Sequence, residues 1–332
     1  MNRDTEIKEI YEKVQCLNQT LWEHRVLKPN IDNWLANFET DEEKQEALFL
    51  LSKFMYFGSH NIRTLLRTLY RDSYRYPIIC KIRQDNGNTL DPNIIEPLFE
   101  KEKKQTIFMG VGNPSESGVH LLYYFRQENK LSKERFANTD DIVIRGSSGI
   151  KLRDNTIKRY VFIDDFCGSG SQATSDTNVN RCVSDIRALN KSAEIYYLML
   201  FGTSKGVDVV RASGLYDYVS CVIELDDNHK CFAPASRIFS QPTTFDAKKI
   251  QLMCTKYGIP IMKEFFIHLG WDDSNALTLA QKNALGFGDC QLLIGFHHNV
   301  PDNSLPIIWY NETGTLKWAP IFKRYSKIYG ES

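Results

Sequence analysis

The chain has 332 residues, 42% hydrophobic and 25% charged, which suits one enlarged α/β domain or two smaller ones with a substantial core. Its 41 basic and 41 acidic residues cancel, so no overall field draws it to nucleic acid or a membrane, and any such contact must be local. No apolar run nears the roughly 18 residues of a membrane span, the first residues do not read as a secretory leader, and eight scattered cysteines without Cys-x-x-Cys spacing suit reduced thiols in a cytoplasm.

Helical periodicity runs from Asp4 to about Tyr76. Ile7, Ile10, Tyr11, Val14, Leu17 and Leu21 fall on one face of a first helix, and Pro29 suits the opening turn of a second that carries Ile31, Trp34, Leu35 and Phe38. Thr40 and Glu43 form a capping box ahead of an apolar helix whose run Ala47 to Phe57 ends at Gly58. A fourth helix, from about His60, carries Arg63, Arg67, Arg71 and Arg75, followed by Lys81 and Arg83, with Tyr70, Tyr74 and Tyr76 between them. Either this local basic face meets phosphates of a nucleic acid or nucleotide partner, or it is a solvated face with interdomain ion pairs. Gln84 to Asn93, rich in Asp, Asn and Gly, reads as a loop between domains.

From Thr106 the pattern changes to alternating strands and helices. Thr106 to Val111 is a buried strand that ends in a Gly/Ser-rich turn containing Gly112, Ser117 and Gly118, and a helix with Val119, Leu121, Leu122 and Phe125 follows. Ile142 to Ile144 predicts another strand, and Arg145 to Lys158, with Lys151 and Arg153, a hydrophilic excursion. The organising stretch is Arg159 to Gln172. Its short apolar run, Tyr160 to Ile163, suits a strand buried on both faces, and it stops at Asp164 and Asp165. In an open parallel sheet, ligands bind beyond the carboxyl ends of the strands, so these carboxylates belong on the functional rim. Gly168 and Gly170 permit a tight turn in which the amides around Ser169, Ser171 and Gln172 converge on an anion at the start of the next helix. Cys167, beside them, has no base nearby in sequence and reads as passive rather than nucleophilic.

Ala173 to Leu189 continues as a polar helix, Glu194 to Phe201 as a strand ending near Lys205, Val207 to Leu215 as a helix, and Tyr218 to Leu225 as a strand closed by Asp226 and Asp227 in a turn. Phe232 to Phe245 is irregular and aromatic. Helices follow over Lys248 to Tyr257 and Pro260 to Leu269, and then a buried strand over Leu292 to Phe296. His297 and His298 are adjacent, so on an extended strand they face opposite ways and do not share a metal; one of them, with Asn299, Asp302 and Asn303, orders a turn.

The acidic strand and its Gly/Ser loop resemble the phosphoribosyl-pyrophosphate (PRPP) motif of type I phosphoribosyltransferases, although Phe166 and Cys167 stand where that family has small aliphatic residues. The resemblance implies that Asp164 and Asp165 hold the ribose hydroxyls directly or through magnesium-bound water, and that Gly168, Ser169, Gly170, Ser171 and Gln172 wrap the 5-phosphate. It further implies that the turn with Gly112, Ser117 and Gly118 contacts pyrophosphate, that Lys151 or Arg153 closes over the leaving pyrophosphate, and that Lys205 lies near the base. The helical N-terminus, the Gly-Asn-Pro-Ser-Glu-Ser-Gly loop from Gly112, and the tail motifs Gly-Phe-Gly-Asp-Cys-Gln from Gly286 and His-Asn-x-Pro-Asp-Asn from His298 resemble the phosphoribosyltransferase-like proteins of bacterial conflict systems, some associated with retrons.

The expected fold is therefore a mostly parallel doubly wound α/β sheet over residues 91–230, with an N-terminal helical region over 1–90 and a C-terminal α+β extension over 231–332 that caps the core. The resemblance implies a cytoplasmic protein that binds PRPP or a nucleotide with magnesium and acts on a base–ribose 5-phosphate bond as an effector in anti-phage defence. The alternative is a module that senses PRPP or a nucleotide without turnover. For such a module the Arg63 to Arg83 face would be the docking surface for a defence-system protein or nucleic-acid complex, and self-association stays open.

Overall fold

The computed structural model describes residues 2–111, 117–147, 149–311 and 315–324, and of residues 117–120 the backbone alone. In chain order the elements are α1 (Arg3–Thr20), α2 (Lys28–Leu35), α3 (Asp41–Leu51), β1 (Met55–Phe57), α4 (Ser59–Thr68), a π-helical turn (Leu69–Arg75), α5 (Tyr76–Asp85), α6 (Pro92–Lys104), β2 (Thr106–Gly110) and α7 (Ser117–Glu128). After these come β3 (Val143–Gly146), β4 (Gly149–Leu152), β5 (Arg159–Cys167), α8 (Ser171–Ser175), α9 (Thr177–Leu189), β6 (Glu194–Thr203), α10 (Ser204–Ala212), β7 (Tyr218–Leu225), α11 (Ala247–His268), α12 (Asp273–Asn283), β8 (Ile294–Phe296) and α13 (Pro306–Trp309). Among the described residues, no helix is long and apolar enough to cross a membrane. The chain divides into two compact units, Met1–Ile62 with Asp226–Ser332, and Arg63–Leu225. The first break thus falls inside the helical region, not near residue 90.

The unit of both chain ends is built on local signals. Thr40 accepts from the Glu43 amide and the Glu43 carboxylate from the Thr40 amide, closing the capping box that starts α3. That helix stops at Leu51, earlier than its apolar run suggests, because Met55–Phe57 pairs in parallel with Ile294–Phe296. The partner strand lies far along the chain, so no local pattern announces it. Conversely, α11 runs unbroken through Pro260, with Ile261, Met262, Phe265 and Phe266 buried beyond it. Proline removes one backbone donor, and burial of that apolar face outweighs the loss.

The unit Arg63–Leu225 holds the predicted α/β sheet, parallel throughout in the order β2-β5-β6-β7. Side chains alternate across it. Ile107, Met109, Tyr160, Phe162, Ile195 and Tyr197 face a core completed by Val179, Val183 and Ile186 of α9 and Val207 and Val210 of α10. On the other face Phe108 meets Phe125 of α7 and Tyr74 of the π-helical turn, with ring centroids 5.3 and 5.0 Å away. Tyr74 also donates to the Thr106 hydroxyl over 2.9 Å. Residues 142–144 do not join this sheet. β3 and β4 form an antiparallel hairpin of their own, with Ile144 opposite Lys151. The polar helix expected over Ala173 to Leu189 is two, α8 and α9, because Asp176 interrupts it and caps the second by accepting from the amides of Asn178 and Val179.

The basic helix face is largely neutralised within this unit. Arg63 and Arg67 share Glu128 at 2.7 and 2.8 Å, Arg71 pairs with Asp72 at 2.6 Å, Arg75 with Glu96 at 2.6 Å and Lys81 with Glu194 at 3.1 Å. These acids lie mostly far along the chain, so the stretch only looks uncompensated when read alone.

At the amino ends of β5 and β6, Arg159 is almost wholly buried and donates from Nε to Glu194 over 2.8 Å and from Nη2 to Glu102 over 3.2 Å. Burial would raise the Glu194 carboxyl, but the charge and hydrogen bonds of Arg159, aided by Lys81, hold it below its ordinary value. Glu194 therefore contributes stability that is present at neutral pH and lost as pH falls through its depressed pKa. Glu194→Gln leaves a buried guanidinium with half its partners, and urea denaturation should show a loss of about 2 kcal/mol, less than a wholly broken buried pair because Glu102 remains.

Candidate active site

The site begins with β5. Eight of its nine residues are buried, and Asp164 and Asp165 fall inside its last four, flanked by β2 and β6. Asp164 is 4% exposed and Asp165 9%. Such burial without a cation demands internal donors. Asp164 has them: its Oδ1 accepts from the Asp165 amide over 2.9 Å and its Oδ2 from the Tyr197 hydroxyl of β6. The two carboxyls are also hydrogen-bonded to each other. Burial first, and the neighbouring charge of Asp165 second, hold the Asp164 carboxyl well above the usual carboxylate range, while Tyr197 and the Asp165 amide oppose the shift. A carboxyl pair of this kind keeps one proton between its members at neutral pH, and the titration belongs to the pair.

An aromatic wall supports the pair. Tyr197 stands 5.0 Å from Tyr216 between ring centroids, Tyr216 stands 6.0 Å from Phe162, and the Tyr216 hydroxyl donates to the Ala173 carbonyl over 2.6 Å. Burial and the adjacent Asp164 push the Tyr197 phenol well above its ordinary value, so it stays protonated and donates to Asp164.

The Gly/Ser loop follows at once. Gly170 sits at φ +79°, and a Cβ there would stand 2.9 Å from the Gly206 carbonyl oxygen, so both conformation and space require glycine. Ser169 donates to the Ser171 hydroxyl over 2.9 Å, and the Gly170 carbonyl accepts from the Thr174 hydroxyl at 2.9 Å as α8 starts. Thr203, last in β6, clamps the loop to α10 by donating to the Gly168 carbonyl over 2.6 Å and accepting from the Gly206 amide at 2.9 Å. Lys205 is exposed on this first turn of α10. The acidic pair, the residues Gly168 to Gln172 and the Thr203–Gly206 turn are thus brought to one rim at the carboxyl ends of β5 and β6.

Other expected members stand elsewhere. Gly112 lies outside the described residues, as do the side chains of Ser117 and Gly118. Lys151 is exposed on the β3–β4 hairpin, which packs on α9. Arg153 is tied down by its own neighbourhood, with Nε donating to the Asp141 carbonyl over 2.6 Å and Nη2 lying 3.5 Å from the Asp141 carboxylate. Cys167 is 3% exposed and its thiol is pushed up to about 12 by burial and then by Asp164, which bears out a passive cysteine. Asp226 accepts from the Asn228 amide and pairs with His229 at 3.0 Å, an ordinary turn. Asp302 pairs with Arg324 at 3.0 Å, and Asn303 donates to the Phe287 carbonyl over 2.9 Å, so both hold local structure.

Asp164 and Asp165 are the two carboxyls that would meet a divalent ion at this rim. Each Asp164 oxygen accepts one hydrogen bond inside the protein, and among the described residues no group of three His, Cys, Asp or Glu side chains is arranged to hold a metal. Tyr197, Tyr216, Thr203 and Gly206 were not evident as site residues in the sequence. Tyr197 had one available signal: pairing Tyr197 with Phe162 puts its ring on the face that Asp164 shares.

Residues 31–324 match the profile of the PRTase-CE family. Among solved structures, the chain is similar to orotate phosphoribosyltransferase from Aeropyrum pernix, at 14% identity over 48% of this chain and 75% of that one, with a TM-score of 0.23. It is also similar to the xanthine-guanine-hypoxanthine phosphoribosyltransferase of Helicobacter pylori, at 12% identity over 40% and 83% of the two chains with a TM-score of 0.21. A protein of unknown function from Methanothermobacter thermautotrophicus is similar at 16% identity over 40% and 86%, with a TM-score of 0.21. No curated protein matches.

Proposed function

The chain belongs to the PRTase-CE family, and on that premise we propose that the β5 rim binds PRPP or a nucleoside monophosphate and makes or breaks the bond between a base and ribose 5-phosphate. The observation that carries this reading is the acidic pair at the end of β5 running directly into the Gly170 turn that Thr203 clamps. Vicinal ribose hydroxyls are each donor and acceptor, and a carboxyl pair holding one proton complements them in both senses. The amides of Gly168 to Gln172 would take the 5-phosphate, and Lys205 would add a cation beside it. In the synthetic direction a base nitrogen forms the bond to the anomeric carbon while the carbon–oxygen bond to pyrophosphate breaks, and the electron pair leaves on pyrophosphate. Magnesium enters as the counter-ion of the pyrophosphate group, part of the substrate. The setting is the one the sequence resemblance implies, an effector in bacterial anti-phage defence working in the cytoplasm.

A second reading, a sensor without turnover, is favoured by one specific observation. Arg153, which would neutralise a departing pyrophosphate, is engaged by Asp141, leaving Lys151 as the remaining cation of the hairpin pair. Calorimetry with magnesium–PRPP and with nucleoside monophosphates tests the site, and pyrophosphate release from the same samples separates enzyme from sensor. Asp165→Asn should weaken binding at least about tenfold, close to 1.4 kcal/mol. Unchanged affinity in that variant, or no binding by the wild type, sinks the rim assignment.

A further inference from the structure

A groove of about 340 Å³ lies wholly within the unit of Met1–Ile62 and Asp226–Ser332, at the low end of the ~300–1,000 Å³ usual for small-molecule sites. Three cations line it: Lys13 from α1, Lys53 after α3, and Arg237 from the short 3-10 turn Arg237–Phe239. Phe54 and Tyr56 supply apolar walls, and among the described residues no acidic side chain lines it. The carboxylate nearest in charge to Lys53 is Glu6, and its oxygens already accept from the Thr243 hydroxyl at 2.6 Å and from the Thr244 amide and hydroxyl at 2.9 and 2.6 Å.

The guanidinium is the telling group. Nε and Nη2 of Arg237 are both buried, and neither has a hydrogen-bond partner among the described residues. A buried donor left unmet is costly, and more so when it is charged. Lys13 and Lys53 are each held below the ordinary lysine value, first by burial and then by the positive charges of their neighbours, and burial does the same to Arg237. Aromatic relief is weak, the Lys53 ammonium standing 5.2 Å from the Phe49 ring centroid. Three like charges gathered around one opening form a cradle for an anion.

We propose that this groove binds a small phosphate-bearing organic molecule, with Arg237 and Lys53 on the phosphate and the Phe54–Tyr56 wall against its apolar body. A guanidinium is a planar fork of donors that matches the oxygens of one phosphate. A dianion suits three cations better than a monocarboxylate does. Because the groove holds only about 340 Å³, the ligand is a small molecule rather than a polymer backbone. The site is independent of the β5 rim, so neither proposal needs the other.

The test uses the full chain carrying Asp165→Asn, which weakens the rim, titrated calorimetrically with AMP, GMP, inorganic phosphate and a single-stranded oligonucleotide, so that dependence on Arg237 and Lys53 identifies binding at the groove. Saturable binding of a monophosphate is expected, weakened at least about tenfold by Arg237→Gln and several-fold by Lys53→Gln. Without ligand, Arg237→Gln should melt no lower than its parent, because it removes an uncompensated charge. If that variant does not fold, Lys53→Gln decides alone. Absence of binding by both monophosphates and phosphate at millimolar concentration overturns the proposal, as does binding indifferent to both substitutions. Equal Arg237-dependent affinity for the oligonucleotide overturns the small-ligand assignment.

Discussion

Asp164→Asn is expected to raise thermal stability at neutral and alkaline pH and to flatten its dependence on pH. The wild-type carboxyl is raised above its unfolded value near 3.8 by burial and by Asp165. Below that unfolded value both states are protonated, and the group costs nothing. As pH rises from there toward the raised folded value, the unfolded chain releases its proton first, so stability is progressively lost and then levels off. Asparagine is isosteric with the protonated acid but has one oxygen for two donors, Tyr197 and the Asp165 amide, so the gain is what removal of the buried charge yields less one of these hydrogen bonds. A gain of several degrees in melting temperature at pH 8, shrinking toward pH 4, is the expected result. A variant that melts lower than wild type throughout would mean that ionised Asp164 is a favourable partner of Tyr197. The same substitution removes the exchangeable proton of the pair, so any ligand affinity at the rim should lose its pH dependence. Stability gained at the expense of such a dependence is the signature of a residue kept for function.

The second large effect is steric. A Cβ on Gly206 would lie 2.3 Å from the Gly168 carbonyl oxygen and 3.0 Å from that of Cys167, both backbone atoms that cannot turn aside. Gly206→Ala must therefore lift the first turn of α10 off the loop and break the clamp in which Thr203 holds the Gly168 carbonyl and the Gly206 amide. Urea denaturation should show a loss of about 3 kcal/mol, in the range of overpacked cores, and ligand affinity at the rim should fall with it. Gly214→Ala is the control. Its φ of +68° strains an alanine, but nothing stands within 4 Å of the added carbon, so a smaller loss, about 1 kcal/mol, is expected with binding intact. Equal losses in the two variants would show that the turn yields to the added carbon and that the contact with the loop is not what makes Gly206 necessary.

Much of this molecule is written locally in its sequence. The capping box at Thr40 and Glu43, the apolar face of α1, the buried run of β5 and the strand–helix alternation from Thr106 onward each depend on residues a few positions apart, and the structure has them. The acidic pair and its Gly/Ser turn were legible for the same reason. What tertiary structure alone decided rests on partners far along the chain. Met55–Phe57 becomes a strand because Ile294–Phe296 lies beside it, and the arginines of α4 and the π-helical turn lose their free charge to Glu128 and Glu96. Asp164 reads as an open ligand until β6 places Tyr197 against it, and Arg153 as a mobile cation until Asp141 holds it. Propensity and periodicity act over one or two turns of chain, whereas charge compensation and desolvation are settled by whatever the fold brings within a few ångströms.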